Sequence, residues 1–156
     1  LAYYQFWNND LEGARQTLET AKLVADEPAE KDIVALQCAC VAMKAGEYSQ
    51  AESALNSISD EGMTRYYRGV LAIYQQDNDK ALRLLEDSKD INYAIALLNK
   101  NKVKEALNVL KDLDQGFPYV LYSTGVAYGR LNENAKAAEY KAKAYQIDPS
   151  LRLLDK

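Results

Sequence analysis

The chain has 156 residues, with 19 Lys and Arg against 23 Asp and Glu, for a net charge of −4. That length suffices for one domain with a real core, and the mild acidic balance argues against a nucleic-acid partner, which favours a basic face. Apolar residues at 48% and charged residues at 27% exclude a disordered chain. The absence of His removes the commonest general base and the commonest zinc ligand together.

No apolar run approaches the ~18 residues that a membrane span needs, so no membrane insertion by this segment is expected. The first residues carry no charged, apolar and cleavage pattern of a leader peptide. They read LAYYQFW, already apolar with helical spacing and without an initiator Met. This start is expected of an excerpt from a longer protein. Tyr is unusually frequent, with 12 against 2 Phe and 1 Trp.

Internal repeats organise the rest. Five polar turns, each ending in Ala, follow apolar helical stretches, and they place Ala14, Ala51, Ala81, Ala106 and Ala137 at steps of 37, 30, 25 and 31 residues. Twelve residues before each stands another small residue: Ala2, Ala39, Gly69, Ala94 and Gly125. Small residues facing each other let two helix axes approach within ~8 Å, so five matched pairs predict five similar helix–helix crossings.

In chain order, the first pair is partial, with Ala2 to Trp7 ending its first helix and Leu11 to Val24 forming its second. ADEPAEKD reads as a linker broken by Pro28. The second pair starts at Asp32, with Ile33, Leu36, Ala39, Cys40 and Met43 on one stripe and Gly46 in the turn. Ser59-Asp60-Glu61 offers capping groups for the next helix. The 25-residue step predicts a shortening, placed in the second helix of pair three. Asp114 to Pro118 is a stop, and LRLLDK reads as a last helix that caps the series or begins a further pair. The pairs are expected over 1–26, 32–59, 62–87, 88–115 and 118–149, in a single all-α domain.

The fifth pair resembles the tetratricopeptide repeat, a helix–turn–helix unit of about 34 residues. Leu121, Gly125, Tyr128, Ala137, Ala144 and Pro149 fall on the family's large, small, aromatic, Ala, Ala and Pro positions. Lys141 occupies the family's second aromatic position, with Tyr140 beside it. Pairs two to four match in fewer places, through Ala39, Ala51, Leu55 and Ile58, then Gly69, Ala81 and Leu85, then Ala94, Leu97, Ala106, Leu110 and Pro118. The resemblance implies a right-handed superhelical solenoid whose first helices line a concave groove. It also implies a non-catalytic scaffold or adaptor that binds a protein or peptide and needs no cofactor.

Carried over residue by residue, the family's groove positions are Tyr3, Phe6 and Trp7, then Leu36, Cys40, Met43 and Lys44, then Tyr66, Val70, Ile73 and Tyr74. Ile91, Ile95, Leu98 and Asn99 follow in pair four, and Tyr122, Val126 and Arg130 in pair five. The set is apolar and aromatic, which suits a hydrophobic or amphipathic segment. The Lys and Asn clamp by which some family members hold a terminal carboxylate is missing at those positions. The same stripe of Leu, Ile and Tyr at helical spacing equally fits buried core between helices. Self-assembly through the apolar ends Leu1–Trp7 and Leu151–Leu154 is the alternative. A repeat domain of a bacterial envelope protein is a further alternative, since such proteins often carry these repeats beside anchoring domains.

Other chemistry finds no motif. Cys38 and Cys40, two apart on a helix, point about 200° away from each other, so a metal or redox pair is not expected and one thiol should face the core and one the groove. Neither a phosphate loop nor a nucleophile elbow occurs. The carboxylates fall in turns and on outer faces. Lys136, Lys141 and Lys143 fit a solvated face, or a small basic face for an acidic partner.

Overall fold

A computed structural model gives the fold, and it describes residues 2–155 apart from the side chains of Tyr3, Tyr4 and Trp7. Among the described residues it is all-α, without strands. The helices are α1 (Ala2–Trp7), α2 (Leu11–Val24), α3 (Pro28–Ala45), α4 (Tyr48–Asn56), α5 (Glu61–Tyr74) and α6 (Asn78–Leu85). Then come α7 (Ile91–Asn99), α8 (Val103–Leu110), α9 (Pro118–Arg130) and α10 (Asn134–Ile147), followed by a C-terminal 3-10 helix, Pro149–Asp155. Two compact units divide the chain, Leu1–Asp77 and Asn78–Lys156.

The fixed spacing of twelve has a backbone cause. Seven residues after each small residue stands one with left-handed φ: Asn9 at 61°, Gly46 at 79°, Gln76 at 62°, Asn101 at 58° and Asn132 at 61°. In every case its own N–H donates three residues back, and the next N–H donates five residues back. Those longer bonds run from Asp10 to Gln5, Glu47 to Ala42, Asp77 to Ala72, Lys102 to Leu97 and Glu133 to Tyr128, all between 2.8 and 3.0 Å. This is the Schellman closure of a helix. Gly and Asn fill four of the five positions because they tolerate the left-handed region best.

Helix starts use two devices. The carboxylates of Asp10, Asp60 and Asp90 accept from the free N–H groups of Gly13, Met63, and Asn92 with Tyr93, respectively. Pro28 and Pro118 instead sit in the first turn of α3 and α9. Pro28 is therefore not the break within a linker that the sequence suggested. It starts α3 four residues earlier, because a first-turn position needs no N–H and favours the φ of proline. The Glu30 carboxylate completes this start by accepting from the N–H groups of Asp26 and Glu27.

The short 25-residue step draws on both helices. α6, the second helix of pair three, has 8 residues against 14 in α2 and α10, and α7 has 9 against 14 in α5. The first helix of pair four is thus shortened as well. It is cut at its N-terminal end, since α5 begins eight residues before Gly69 and α7 three before Ala94.

In the first unit α3 is apolar on both sides and is correspondingly flanked on both. Val41, with Val34 and Cys38, packs on Ala2, Ala14 and Leu18. Ala39 and Met43 pack with Ala51, Leu55, Ile58 and Leu71. In the second unit Leu97, Leu98, Val103, Ala106 and Ala127 form one cluster, and Ala94, Leu110 and Val120 another. A third joins Leu121, Ala144 and Leu151. That last contact corrects the expectation of an apolar end at Leu151–Leu154: Leu151 is 1% exposed, and only Leu153 and Leu154 project, at 64% and 55%. Full burial of Leu151 contributes roughly 2 kcal/mol toward holding the 3-10 helix against α9 and α10.

Candidate functional site

The expected binding positions lie on the first helices, and their burial follows a pattern. One turn before each small residue stands Leu36, Tyr66, Ile91 or Tyr122; immediately after it stands Cys40, Val70, Ile95 or Val126. All eight are half-buried. The small residues Ala39, Gly69, Ala94 and Gly125 between them are buried. Four residues further on, the helices end in Lys44, Tyr74, Asn99 and Arg130, which are polar or exposed. Each unit thus carries an apolar row with a polar rim on its first helices.

The row also serves packing. In the first unit Leu36, Cys40 and Val70 lean on the cluster around Ala39 and Leu55, together with Tyr67. Tyr66 meets Tyr67 edge to face, with ring centroids 5.0 Å apart. Tyr74 is 44% exposed, and its carbonyl accepts from Tyr48 Oη at 2.9 Å. In the second unit Ile91 packs beside Ala94 and Leu110. Tyr122 packs on Leu121 and Leu151.

The rim residues are tied inward. Lys44 Nζ donates to the Phe6 carbonyl at 2.7 Å and lies 4.4 Å from the centroid of its ring. It thereby caps the end of α1, as a cation at a helix C-terminus should. Asn99 donates to Asn78 Oδ1 at 3.1 Å, and Arg130 donates to the carbonyl of Leu98. The expected side chains of Tyr3 and Trp7 lie outside the described residues.

The two thiols diverge, Cys38 toward the α1–α2 side and Cys40 toward α4 and α5. Burial pushes the Cys40 thiol up to about 11 and raises that of Cys38, so neither is an activated nucleophile. Among the described residues no group of three or more His, Cys, Asp or Glu could hold a metal ion. No described helix is long and apolar enough to cross a membrane.

Two features escaped the sequence. The first is a cavity of about 750 Å³ between α2 and α4, floored by Val34, Ala35, Cys38, Val41 and Ala42 of α3. These residues are on other faces of α3 than Leu36, Cys40 and Lys44. No local pattern announces the cavity, because it depends on the lateral gap between two second helices. The second is a set of side chains around Asp155. Tyr122 Oη, Lys141 Nζ and Tyr145 Oη all donate to its carboxylate. A signal for this one was present, since Lys141 occupies the position where the tetratricopeptide pattern has an aromatic.

No protein-family model and no curated protein matches the chain. Solved structures do. YrrB, described as a TPR protein with an unusual peptide-binding site, is 22% identical with a TM-score of 0.56, over 95% of this chain and 83% of that one. The MamA RS-1 ArsTM double mutant is 17% identical with a TM-score of 0.59, over 96% and 91%. MamA MSR-1 C2 is 21% identical with a TM-score of 0.56, over 96% and 93%. At these identities the likeness is one of backbone, and it agrees with the recurrent helix pairs and their common turn: the chain has the helical-repeat fold of tetratricopeptide-repeat proteins.

Proposed function

We propose that the chain is a non-catalytic scaffold that holds a hydrophobic or amphipathic segment of another protein on the first-helix faces of its units. The observation that carries this reading is the recurrence of half-buried apolar residues at two equivalent positions in all four of the first helices α3, α5, α7 and α9. A core residue of a closed bundle would be sealed, and an idle surface position would be polar. A residue that keeps part of its apolar surface in water at the same register four times is suited to a ligand laid on the first helices of a unit. YrrB, with its peptide-binding site, offers a precedent on the same fold.

On α5 the half-buried Tyr66 lies in the row and the 44%-exposed Tyr74 on its rim, so substitution there gives the test. With Tyr66→Ala and Tyr74→Ala combined, helical content should stay unchanged and the set of proteins retained by the immobilised chain should be lost. An unchanged retained set sinks the reading. Self-association is the second reading, favoured by the exposure of Leu23 at 85%, Val24 at 71% and Leu153 at 64%. Light scattering across a concentration series distinguishes it: a strict monomer throughout removes it.

A further inference from the structure

Three donors from two helices converge on one carboxylate in the second unit. Tyr122 of α9 reaches Asp155 at 3.1 Å and Lys141 of α10 at 2.5 Å, and Tyr145 of α10 donates to the other oxygen. The Tyr122 and Tyr145 rings stand 6.3 Å apart, and Lys141 Nζ lies 5.2 Å from the Tyr122 centroid. The two neighbouring lysines differ: Lys136 pairs with Glu133 and Lys143 with Glu139, each on or beside its own helix. Four residues before Asp155, Leu151 is seated between Leu121 and Ala144. The receptor therefore belongs to the helices, and the ligand to a separate seven-residue segment with two anchors, one apolar and one anionic. The Asp155 side chain remains 35% exposed, so the anionic end is open to exchange with solvent.

We propose that Tyr122, Lys141 and Tyr145, with the seat formed by Leu121 and Ala144, are a binding site for a short segment of a partner protein. That segment carries an apolar residue four positions before Asp or Glu. The chain's own residues 149–155 occupy the site in cis and give way to such a partner. Charge-assisted hydrogen bonds from three donors supply the anionic specificity, and the apolar anchor is the seat that Leu121 and Ala144 give Leu151. A tethered segment acts at an effective concentration in the mM range, so the cis occupant keeps weak ligands out. The inference rests on the reading of the first-helix face only through Tyr122. Loss of that reading in the Tyr66 and Tyr74 experiment leaves this site standing.

The test uses the 156-residue chain, native and with Asp155→Asn, and two N-terminally fluorescein-labelled, C-terminally amidated peptides, PSLRLLD and PSLRLLN. In anisotropy titrations PSLRLLD should bind the Asp155→Asn chain about 10-fold more tightly than the native chain, because the competing cis carboxylate is gone. PSLRLLN should bind that variant about 10-fold more weakly than PSLRLLD, and adding Lys141→Ala should narrow the difference to what the two tyrosines supply. Equal affinities of the two peptides for the Asp155→Asn chain overturn the proposal. Hydrogen exchange keeps it falsifiable independently: amides of 151–155 should exchange faster in Asp155→Asn while α9 and α10 stay protected, and unchanged exchange overturns it. An Asp155→Asn chain that forms dimers dissociated by PSLRLLD assigns the site to a second copy and overturns the partner reading.

Discussion

A Cβ placed on Gly125 would lie 3.0 Å from the backbone carbonyl oxygen of Ala137 and 3.1 Å from the backbone nitrogen of Lys141. Backbone cannot move aside as a side chain can, so α9 and α10 are as close here as the chain permits. Gly129, one turn later on the same helix, differs: its added Cβ would meet Ala137 Cβ at an ordinary 3.8 Å. Gly125→Ala should therefore destabilise the fold by about 1–3 kcal/mol through overpacking. Gly129→Ala should stabilise it by about 0.5–1 kcal/mol through helix propensity. Urea unfolding of the two variants beside the parent gives both values, and the same sign for both would refute the close crossing.

The left-handed turns make a second prediction. Gln76 holds φ at 62° on the exposed surface, in a position that the other turns give to Gly or Asn. A side chain with a Cβ and no short local acceptor is strained there. Gln76→Gly should raise stability by roughly 1 kcal/mol, whereas Gly46→Ala should lower it by a similar amount. Thermal melts of the pair check this, and a destabilised Gln76→Gly chain would contradict it.

Asp32 gives the third, through pH. It is 9% exposed in the second turn of α3, and its carboxylate accepts from Ser59 N at 3.0 Å and Ser59 Oγ at 2.5 Å. Those hydrogen bonds, the side-chain one first, hold its pKa below the ordinary 3.8. A lowered folded value means that the stabilisation is complete above 3.8 and is lost as the pH falls through the folded value. Asp32→Ala should be less stable than the parent at neutral pH and should lose less on acidification. Melting temperatures measured from pH 6 down to about pH 2.5 should converge at the acid end, and parallel curves would remove Asp32 as the cause.

Much of the fold was written locally. The spacing of Ala39 from Ala51, or of Ala94 from Ala106, marks each pair because a close crossing demands small residues and a Schellman turn fixes the distance between them. Pro28 was ambiguous in the sequence, since the same residue ends one helix and begins another. The shortening of α7 was not foreseen beside that of α6, because the step between alanines reports only a total length. The first-helix row was legible as positions, but the inward bonds of Lys44 and Arg130 were not. Lys44 meets a carbonyl 38 residues away and Arg130 one 32 residues away, which no helical period encodes. The grip on Asp155 was hidden for the same reason.

The repeated turn has a consequence for how such a chain can change. The connections inside pairs are residues 8–10, 46–47, 75–77, 100–102 and 131–133, and each is locked by the same two backbone bonds. The connections between pairs are 25–27, 57–60, 86–90 and 111–117, and they share no common form. An inserted residue between α3 and α4, α7 and α8 or α9 and α10 would break the closure and rotate the second helix by about 100°, turning its alanine out of the crossing. Between pairs the same insertion meets only linker. Changes of length in this architecture are thus confined to alternate junctions, and the helix pair, not the single helix, is the piece in which the chain can be lengthened or cut.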